Sequence, residues 1–273
     1  MNTYHNTLSS TDRVRLSATQ KDEFVRDGFL VMRGLLPENV VAKVRADLSA
    51  SLGIDTHDPA TWKSVAETRE WAWGAGPMTV PCRSAAVEDV IEELVGPHFL
   101  RGYSLHPFKN LVGLDAREAG FIPVLTYAEP GEPAFVQPHG WHVDGEPDHV
   151  TIPPTCLLIV FAYLTDTPAY GGATSVQPGS HRRVFEQLTR HGSLPDRTGI
   201  GMPLSGSAGD VIFMHFLLVH SSSSNFSDHV RLGLNTNALP DGAHDFAPRS
   251  GTPDETWTPF ERTLRTDDLS MTS

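Results

Sequence analysis

The part of the chain from Phe99 to about residue 240 is a series of short apolar runs, and this pattern constrains the fold more than any other feature of the sequence. Glycine, proline, aspartate and serine separate the runs, which are residues 121–127, 155–164, 173–177, 211–219 and 230–238. Runs of this length, bounded by turn-forming residues, are typical of buried strands rather than of helices. The pattern predicts a β-sandwich or a barrel.

The N-terminal third is predicted to be helical instead. Three segments each have a residue that favours a helix start and a glycine that ends it: Ser17 to Gly28, Pro37 to Gly53, and Ser84 to Gly96. Residues 55–83 lie between the last two, contain three tryptophans and lack clear periodicity, so they are expected to be a lid or an irregular packed loop. We therefore predict a mainly β fold with helices that buttress one face.

No linker divides the chain, so we expect a single domain over residues 1–273. It would comprise a helical part at about 1–98, a β core at about 99–240 and a C-terminal extension at about 241–273. The net charge of −12 argues against nucleic acid and anionic membranes as partners. The sequence has only two cysteines, Cys82 and Cys156, and it shows no signal-like N-terminus and no long apolar stretch, so we expect a cytoplasmic protein. We also expect a monomer or homodimer that acts on a small molecule.

The densest group of chemically versatile side chains includes His142 and Asp144. In an extended segment, residues two apart project from the same face. A neutral imidazole and a carboxylate on one face make half of a metal site suited to iron, manganese or zinc. A single His-x-Asp triplet is also frequent by chance, so it is a weak signal when taken alone.

Two further residues lie on later strands. His220 is expected to close the strand that follows the turn at Gly209 and Asp210, where it is either a core histidine or a residue that faces a cavity. Arg231 begins the next apolar strand, and a buried guanidinium requires an anion. That anion could be a structural carboxylate or the carboxylate of a ligand.

In this order on successive strands, the residues resemble the phytanoyl-CoA dioxygenase-like family of Fe(II)/2-oxoglutarate dioxygenases. Four passages carry the resemblance: the DGF-hydrophobic-RG opening at Asp27–Leu36, the GG…PGSH stretch at Gly171–His181, the AGD turn at Ala208–Asp210, and the H-x-S…N-x-S…R segment at His220–Arg231. Each motif is weak alone, whereas their combination over residues 27–237 is specific.

The resemblance implies a double-stranded β-helix core, that is, a cupin-like jelly roll. It also implies that Fe(II) is held by His142, Asp144 and His220, and that Arg231 binds the far carboxylate of 2-oxoglutarate, with Ser222 beside it. Oxygen is then the remaining co-substrate, and succinate and CO2 are released. One Fe(II) and one aspartate carry a single net positive charge, Arg231 adds another, and the 2-oxoglutarate dianion balances both.

The substrate is expected to be a small, largely apolar natural-product intermediate that is hydroxylated or otherwise oxidised. The motive is a set of tryptophans that could supply an apolar wall, with residues 55–83 as part of a lid. The set is Trp62, Trp71, Trp73 and Trp141. Two other functions remain open: a zinc-dependent hydrolase with the same ligands, which would have no use for Arg231, and a non-catalytic β-sandwich binding module.

Four attractive side chains are predicted to be structural. His139 is three residues from His142 and so would face the other way on a strand. His181 belongs to the PGSH turn, His215 lies within an apolar run, and Asp210 is expected to organise its turn.

Overall fold

The computed structural model describes residues 13–100, 120–132, 138–144, 158–240 and 258–264. The α-helices in these ranges are α1 (Ala18–Asp27), α2 (Glu38–Leu52), α3 (Val65–Gly74), α4 (Ala85–Val95), α5 (Ser180–His191) and α6 (Pro259–Thr263). The strands are β1 (Phe29–Met32), β2 (His98–Leu100), β3 (Ile122–Thr126), β4 (Leu158–Tyr163), β5 (Ser175–Val176), β6 (Met202–Pro203), β7 (Val211–His215), β8 (His220–Ser221) and β9 (Arg231–Pro240).

Two antiparallel sheets form the framework. The larger has the strand order β1-β7-β4-β9-β2, with β3 also paired to β9. The smaller has the order β6-β5-β8, and its central register pairs Val176 with His220. The prediction of a mainly β fold with helices is therefore confirmed, and the structure adds that the named strands of the described ranges pair antiparallel.

Strand β4 shows why apolar runs without alternation mark the core. All six of its residues are buried. Leu158, Val160 and Ala162 join the apolar cluster that includes the helices, whereas Ile159 and Phe161 join a second cluster on the opposite face. Because successive side chains of a strand point to opposite faces, both faces of this sheet are covered. The second cluster also contains residues near the smaller sheet, so it fills the space between the two sheets.

The predicted helix starts and ends are confirmed. Ser17 and Gln20 form a complete capping box at the start of α1, and Gly28 ends the helix with φ of 81°. A Cβ at Gly28 would lie 2.3 Å from Nδ1 of His181, so this position requires glycine for space as well as for backbone conformation. The DGF and PGSH motifs therefore meet in the fold.

Residues 55–83 are more regular than expected. They contain 3-10 helices at Pro59–Thr61 and Gly76–Cys82 as well as α3. The missed signal is a capping box in which the Ser64 side chain accepts from the Glu67 backbone and Glu67 accepts from the Ser64 backbone. Periodicity failed because α3 is largely exposed, including its first residue, Val65.

The prediction of one strand through residues 211–219 with His220 at its end was wrong. Strand β7 ends at His215, and the chain turns there because Leu218 N–H donates to His215 O at 2.9 Å and Leu217 N–H donates to His215 Nδ1 at 3.1 Å. His220 then opens β8 in the other sheet. Every residue from 211 to 220 is buried, so hydrophobicity alone does not reveal the crossing.

Asp210 organises its turn, as predicted. Its carboxylate accepts hydrogen bonds from Arg33 Nη1 at 2.7 Å and from the backbone N–H groups of Gly34 and Ser207, both at 2.8 Å. These contacts connect the RG pair of the opening motif to the AGD turn. The bonds and the Arg33 charge hold the pKa of Asp210 below its usual range although burial opposes this.

Two buried histidines support the C-terminal helix α6. His215 stacks on Phe260 with ring centroids 4.8 Å apart, and its Nε2 lies 3.0 Å from Thr263 Oγ1. Since Nδ1 accepts from Leu217, Nε2 carries the proton and donates to Thr263. His181 lies beside this ring, with centroids 5.0 Å apart.

Cys82 is buried as a free thiol, and burial raises its pKa to about 12, whereas Cys156 lies outside the described residues. None of the helices in the described ranges has both the length and the apolar composition required to cross a membrane.

We predict that these histidines destabilise the protein in mild acid. Burial lowers the pKa of His181 from 6.5 to about 3, and it lowers the pKa of His215 well below its ordinary value. As the pH falls below 6.5, the unfolded chain takes up protons that the folded chain excludes, so the free energy of unfolding falls. Each histidine contributes up to about 1.4 kcal/mol per pH unit.

Urea unfolding between pH 7 and pH 4 measures this slope. His181→Gln is expected to flatten it, whereas the exposed control His191→Gln leaves it unchanged. Equal slopes in the two variants would show that His181 is not the responsible group.

Candidate active site

A reciprocal backbone bridge brings the distant motif residues together. His142 N–H donates to His220 O at 3.0 Å, and His220 N–H donates to His142 O at 2.9 Å. Asp144 follows two residues later, beyond the buried Val143. His142 is held by an isolated bridge rather than by a long strand, yet the two-residue spacing still directs His142 and Asp144 to one place.

The three side chains form one compact cluster. Their ligand atoms all lie within 4.8 Å of one another. The imidazole centroids of His142 and His220 are 4.3 Å apart, and His220 Nε2 is 3.6 Å from Asp144 Oδ1. This spacing suits a single metal ion between the three groups.

The hydrogen bonds of both imidazoles leave the correct nitrogen for a metal. His142 Nδ1 lies 3.0 Å from Gly140 O, and His220 Nδ1 lies 2.9 Å from Leu218 O. Because a carbonyl only accepts, both Nδ1 atoms carry protons and both Nε2 lone pairs point elsewhere. Metal-binding histidines are usually fixed in this way.

The lowered pKa of His220 also favours the neutral imidazole that a metal requires. Burial lowers its pKa, the neighbouring His142 lowers it further, and Asp144 acts in the opposite direction. A neutral imidazole can bind a metal. Two imidazoles and one carboxylate with open positions are the donor set of non-haem Fe(II) oxygenases, so the residues fit that ion.

Arg231 is a buried cation with spare donors. It is 2% exposed, and its Nη2 donates to Thr126 Oγ1 on the neighbouring strand β3. Its Nε and Nη1 are buried and have no hydrogen-bond partner among the described residues. The guanidinium carbon lies 5.1 Å from the centre of the Phe161 ring, and burial lowers the pKa of Arg231. The arrangement favours an anionic ligand, which would satisfy both the charge and the free donors.

Strand β9 connects Arg231 to the His-Asp-His cluster. Every second residue of this strand lies on the same face, and these residues are 231, 233, 235 and 237. At the far end of this set, Asn237 Nδ2 donates to Asp144 Oδ2 at 3.5 Å. Gly233 leaves the space that the Phe161 ring occupies, because a Cβ there would lie 2.4 Å from that ring. Asn235 presents a buried amide oxygen without a partner in the described part of the chain.

Sequence reasoning missed Asn235 and Asn237, as well as Thr126. The period of two, counted from Arg231, would have selected both asparagines. Thr126 could not be found in this way, because its contact with Arg231 depends on the pairing of β3 with β9.

Ser222 has a different neighbour from the one expected. It is exposed, and its hydroxyl lies 3.2 Å from Nδ1 of His139. The other nitrogen of His139 lies 3.2 Å from Ser224 Oγ, and His139 is not part of the ligand cluster. A contact between Ser222 and 2-oxoglutarate stays a prediction.

The four tryptophans have different environments. Trp62 packs at 5.6 Å on Tyr127, the residue after Thr126, and the Trp141 ring occupies the space above Gly201. Trp71 instead donates to Ser51 Oγ at 3.1 Å. The Trp73 side chain lies outside the described parts of the structure.

An apolar cleft of about 280 Å³ lies between α3 and β3. Its lining is Val65, Thr68, Arg69, Ala72, Ile122, Pro123, Val124, Leu125 and Tyr127. Thr68 Oγ1 and the Tyr127 hydroxyl are 2.8 Å apart at this cleft, so they form a polar pair in an otherwise apolar wall.

Comparison with known proteins gives a match over most of the chain. The family model of phytanoyl-CoA dioxygenase matches residues 24–233. The ectoine dioxygenase of Bordetella parapertussis is 24% identical over 243 residues, which cover 80% of this chain and 74% of that protein. The ectoine dioxygenase of Bordetella bronchiseptica matches to the same extent.

Solved structures share the fold. EctD from S. alaskensis, with 2-oxoglutarate and 5-hydroxyectoine, has a TM-score of 0.54 at 21% identity, covering 82% of this chain and 76% of that one. HygX from Streptomyces hygroscopicus, with nickel and 2-oxoglutarate bound, has a TM-score of 0.54 at 16% identity over 84% and 88%. SnoK, a carbocyclase from nogalamycin biosynthesis, has a TM-score of 0.51 at 19% identity over 82% and 84%. The expected jelly-roll fold is thereby confirmed.

The cluster predicts a metal-binding phenotype. His220→Ala and Asp144→Ala are each expected to bind one equivalent of Fe(II) fewer than the unaltered protein under anaerobic dialysis, because each removes one of three ligands. His139→Ala is the matched control, since this ring lies outside the cluster. Equal iron content in His220→Ala and His139→Ala would contradict the assignment.

Proposed function

Because this chain belongs to the phytanoyl-CoA dioxygenase family, and is therefore an Fe(II)- and 2-oxoglutarate-dependent dioxygenase, we propose that it oxidises a small, largely apolar natural-product intermediate. Hydroxylation is the proposed outcome, with release of succinate and CO2. The substrate and the roles of individual residues are the proposed parts of this function.

One observation carries the proposal: a compact His-Asp-His cluster lies in a fold where strand β9 also presents a buried arginine with free donors. We assign His142, Asp144 and His220 to the iron. We assign Arg231 to the far carboxylate of 2-oxoglutarate, since Nε and Nη1 can donate to a carboxylate while Nη2 stays on Thr126.

The same arginine distinguishes the two alternative functions. A zinc-dependent hydrolase would use the three ligands to activate water but gives Arg231 no anion to bind. A binding module without catalysis gives no reason for two histidines to have their Nδ1 atoms fixed and their Nε2 atoms free. The dioxygenase uses all of these features.

When bound, the iron supplies the oxygen-dependent oxidation of 2-oxoglutarate and of the substrate. The protein supplies the orientation. Gly140 and Leu218 carbonyls fix the two imidazole rings, and Asn237 restrains the Asp144 carboxylate. Thr126 and the Phe161 ring hold the guanidinium of Arg231 in place, so the co-substrate meets a preorganised partner.

The side chains around Arg231 are buried, which supports the exclusion of water from this part of the site. Phe161 and Tyr163 are both at most 6% exposed, and Tyr163 donates its hydroxyl hydrogen to Leu204 O at 2.7 Å. A dry environment strengthens the pairing of Arg231 with a carboxylate, because the attraction between charges rises as the effective dielectric constant falls.

The apolar lining of the cleft beside β3 supports the substrate class. Leu125 and Tyr127, which line the cleft, flank Thr126, the residue that bonds Arg231, and Trp62 packs on the Tyr127 wall. Apolar clefts with a few polar groups are typical of small-molecule sites. The same fold occurs in a carbocyclase of nogalamycin biosynthesis, which also favours a natural-product substrate.

Removing the charge of Arg231 is expected to weaken co-substrate binding. Arg231→Ala should raise the 2-oxoglutarate concentration for half-maximal turnover by roughly 30-fold or more, because losing a buried charge-assisted pair costs about 2–5 kcal/mol. Arg190→Ala, in which the lost arginine pairs with Glu186 on the exposed side of α5, is the control. Normal use of 2-oxoglutarate by Arg231→Ala would refute this role.

The substrate class is tested by substrate-dependent succinate release. The panel contains apolar polycyclic and terpenoid scaffolds, acyl thioesters, and ectoine as the molecule that the curated relatives are named for. We expect turnover of an apolar scaffold. Turnover of ectoine or of an acyl thioester alone would overturn the substrate class but leave the reaction type standing.

Two tryptophan variants then test the cleft. Trp62→Leu should raise KM for that scaffold while leaving substrate-independent 2-oxoglutarate consumption unchanged. Trp71→Leu is the control because its indole is bonded to Ser51 on α2 rather than to the cleft wall. Equal effects of the two substitutions on KM would argue against substrate binding at this cleft.

A further inference from the structure

A second set of metal-ligating side chains lies outside the proposed active site. The ligand atoms of His57, Asp228 and His229 are all within 4.8 Å of one another. His57 precedes the 3-10 helix Pro59–Thr61, whereas Asp228 and His229 lie in the loop that leads to Arg231. Two segments far apart in the sequence therefore converge on this cluster.

Backbone contacts hold both segments in place. Val230 N–H donates to Thr56 O at 2.8 Å, which joins the residues next to His229 and His57. His57 N–H donates to Asp55 Oδ1 at 2.9 Å, and Asn225 Nδ2 donates to His229 O at 2.8 Å. Hydrogen bonds therefore hold the backbone of both segments at the positions from which the three side chains converge.

The hydrogen bonds of His229 call for a cation between two of these groups. Its Nε2 is 2.8 Å from Asp166 O, and its Nδ1 is 2.8 Å from Asp228 Oδ1. A carbonyl only accepts, so Nε2 carries a proton, and Nδ1 of the neutral ring then directs a lone pair at a carboxylate. Two acceptors at this distance repel each other unless a proton or a metal ion lies between them.

The position of His57 favours the metal ion over the proton. A proton on His229 would satisfy Asp228 and gives His57 no role. A metal ion uses all three groups, because the His57 ring lies 5.3 Å from the His229 ring and belongs to the same set of ligand atoms.

We propose that His57, Asp228 and His229 form a second metal site for a transition-metal ion of the zinc class. Two imidazoles and one carboxylate are a common donor set for Zn²⁺, with the remaining position open to solvent. The Asp166 carbonyl orients His229 as outer-shell acceptors usually do. An ion here would join residues 55–61 to the loop that precedes Arg231.

Access to the site is open. His57 and Asp228 are exposed, and His57 and His229 line a cleft between α2 and the turn at Thr165 and Asp166. The cleft has a volume of about 640 Å³, so an ion can reach the ligands without any rearrangement of the sheets.

Zinc stoichiometry tests the proposal independently of the proposed function. The intact protein, His142→Ala, His57→Ala and the double variant are dialysed against Zn²⁺, and bound metal is measured. We expect two, one, one and no equivalents, respectively. If the active-site cluster takes no zinc, the intact protein binds one equivalent and His57→Ala none, which supports this site and counts against the iron-ligand assignment.

The control is His191→Ala, an exposed histidine at the end of α5. Equal zinc content in His57→Ala and His191→Ala overturns the second site and leaves a protonated His229–Asp228 pair as the explanation. Circular dichroism of each variant verifies folding, which His57→Ala should retain because this side chain is exposed.

Thermal unfolding gives a second readout. In the His142→Ala background, saturating Zn²⁺ should raise Tm, because a ligand that binds only the folded state stabilises it. The increase should vanish on adding His57→Ala and persist on adding His191→Ala. A rise in Tm that does not depend on His57 would contradict the proposal.

Discussion

The reciprocal backbone bridge between His142 and His220 is the contact on which the proposed active site depends. It places a residue of the smaller sheet beside a segment that otherwise has no extended strand in the described ranges. With the backbones fixed, carbonyl acceptors at Gly140 and Leu218 set the tautomers. Because a facial set of ligands must be correct in both distance and orientation, the metal chemistry is a consequence of strand pairing.

Burying Arg231 without a carboxylate partner in the described structure destabilises the fold. Apolar packing on both faces of β4 and β9 offsets this destabilisation. In our proposal, the co-substrate is the anion that offsets the charge of Arg231. A protein with such a site is expected to be less stable without its ligand than with the ligand bound. We therefore interpret the donors of Arg231 and the amide oxygen of Asn235, which lack partners among the described residues, as part of the proposed binding site and not as a packing defect.

The motifs that identify the family have two different physical roles. Those at His142–Asp144 and His220–Arg231 contain the proposed ligands. The others connect the framework: Gly28 makes room for His181, and Arg33 bonds to Asp210. The second group keeps the N-terminal strand β1 on β7, whose far end leads into the turn before His220. Substitutions in this framework group are expected to shift the proposed ligands without contacting them.

The sequence by itself determined the helix caps, the strand-rich middle and the residue types of the proposed site, because caps and side-chain alternation depend on neighbours a few residues apart. Tertiary structure alone decided that the apolar run at 211–219 turns at His215, that Thr126 supports Arg231, that Ser222 pairs with His139, and that His57 meets His229. These contacts join residues far apart along the chain. They follow from which buried strands pair and in what register, and a uniformly apolar run contains no alternation from which that register can be read.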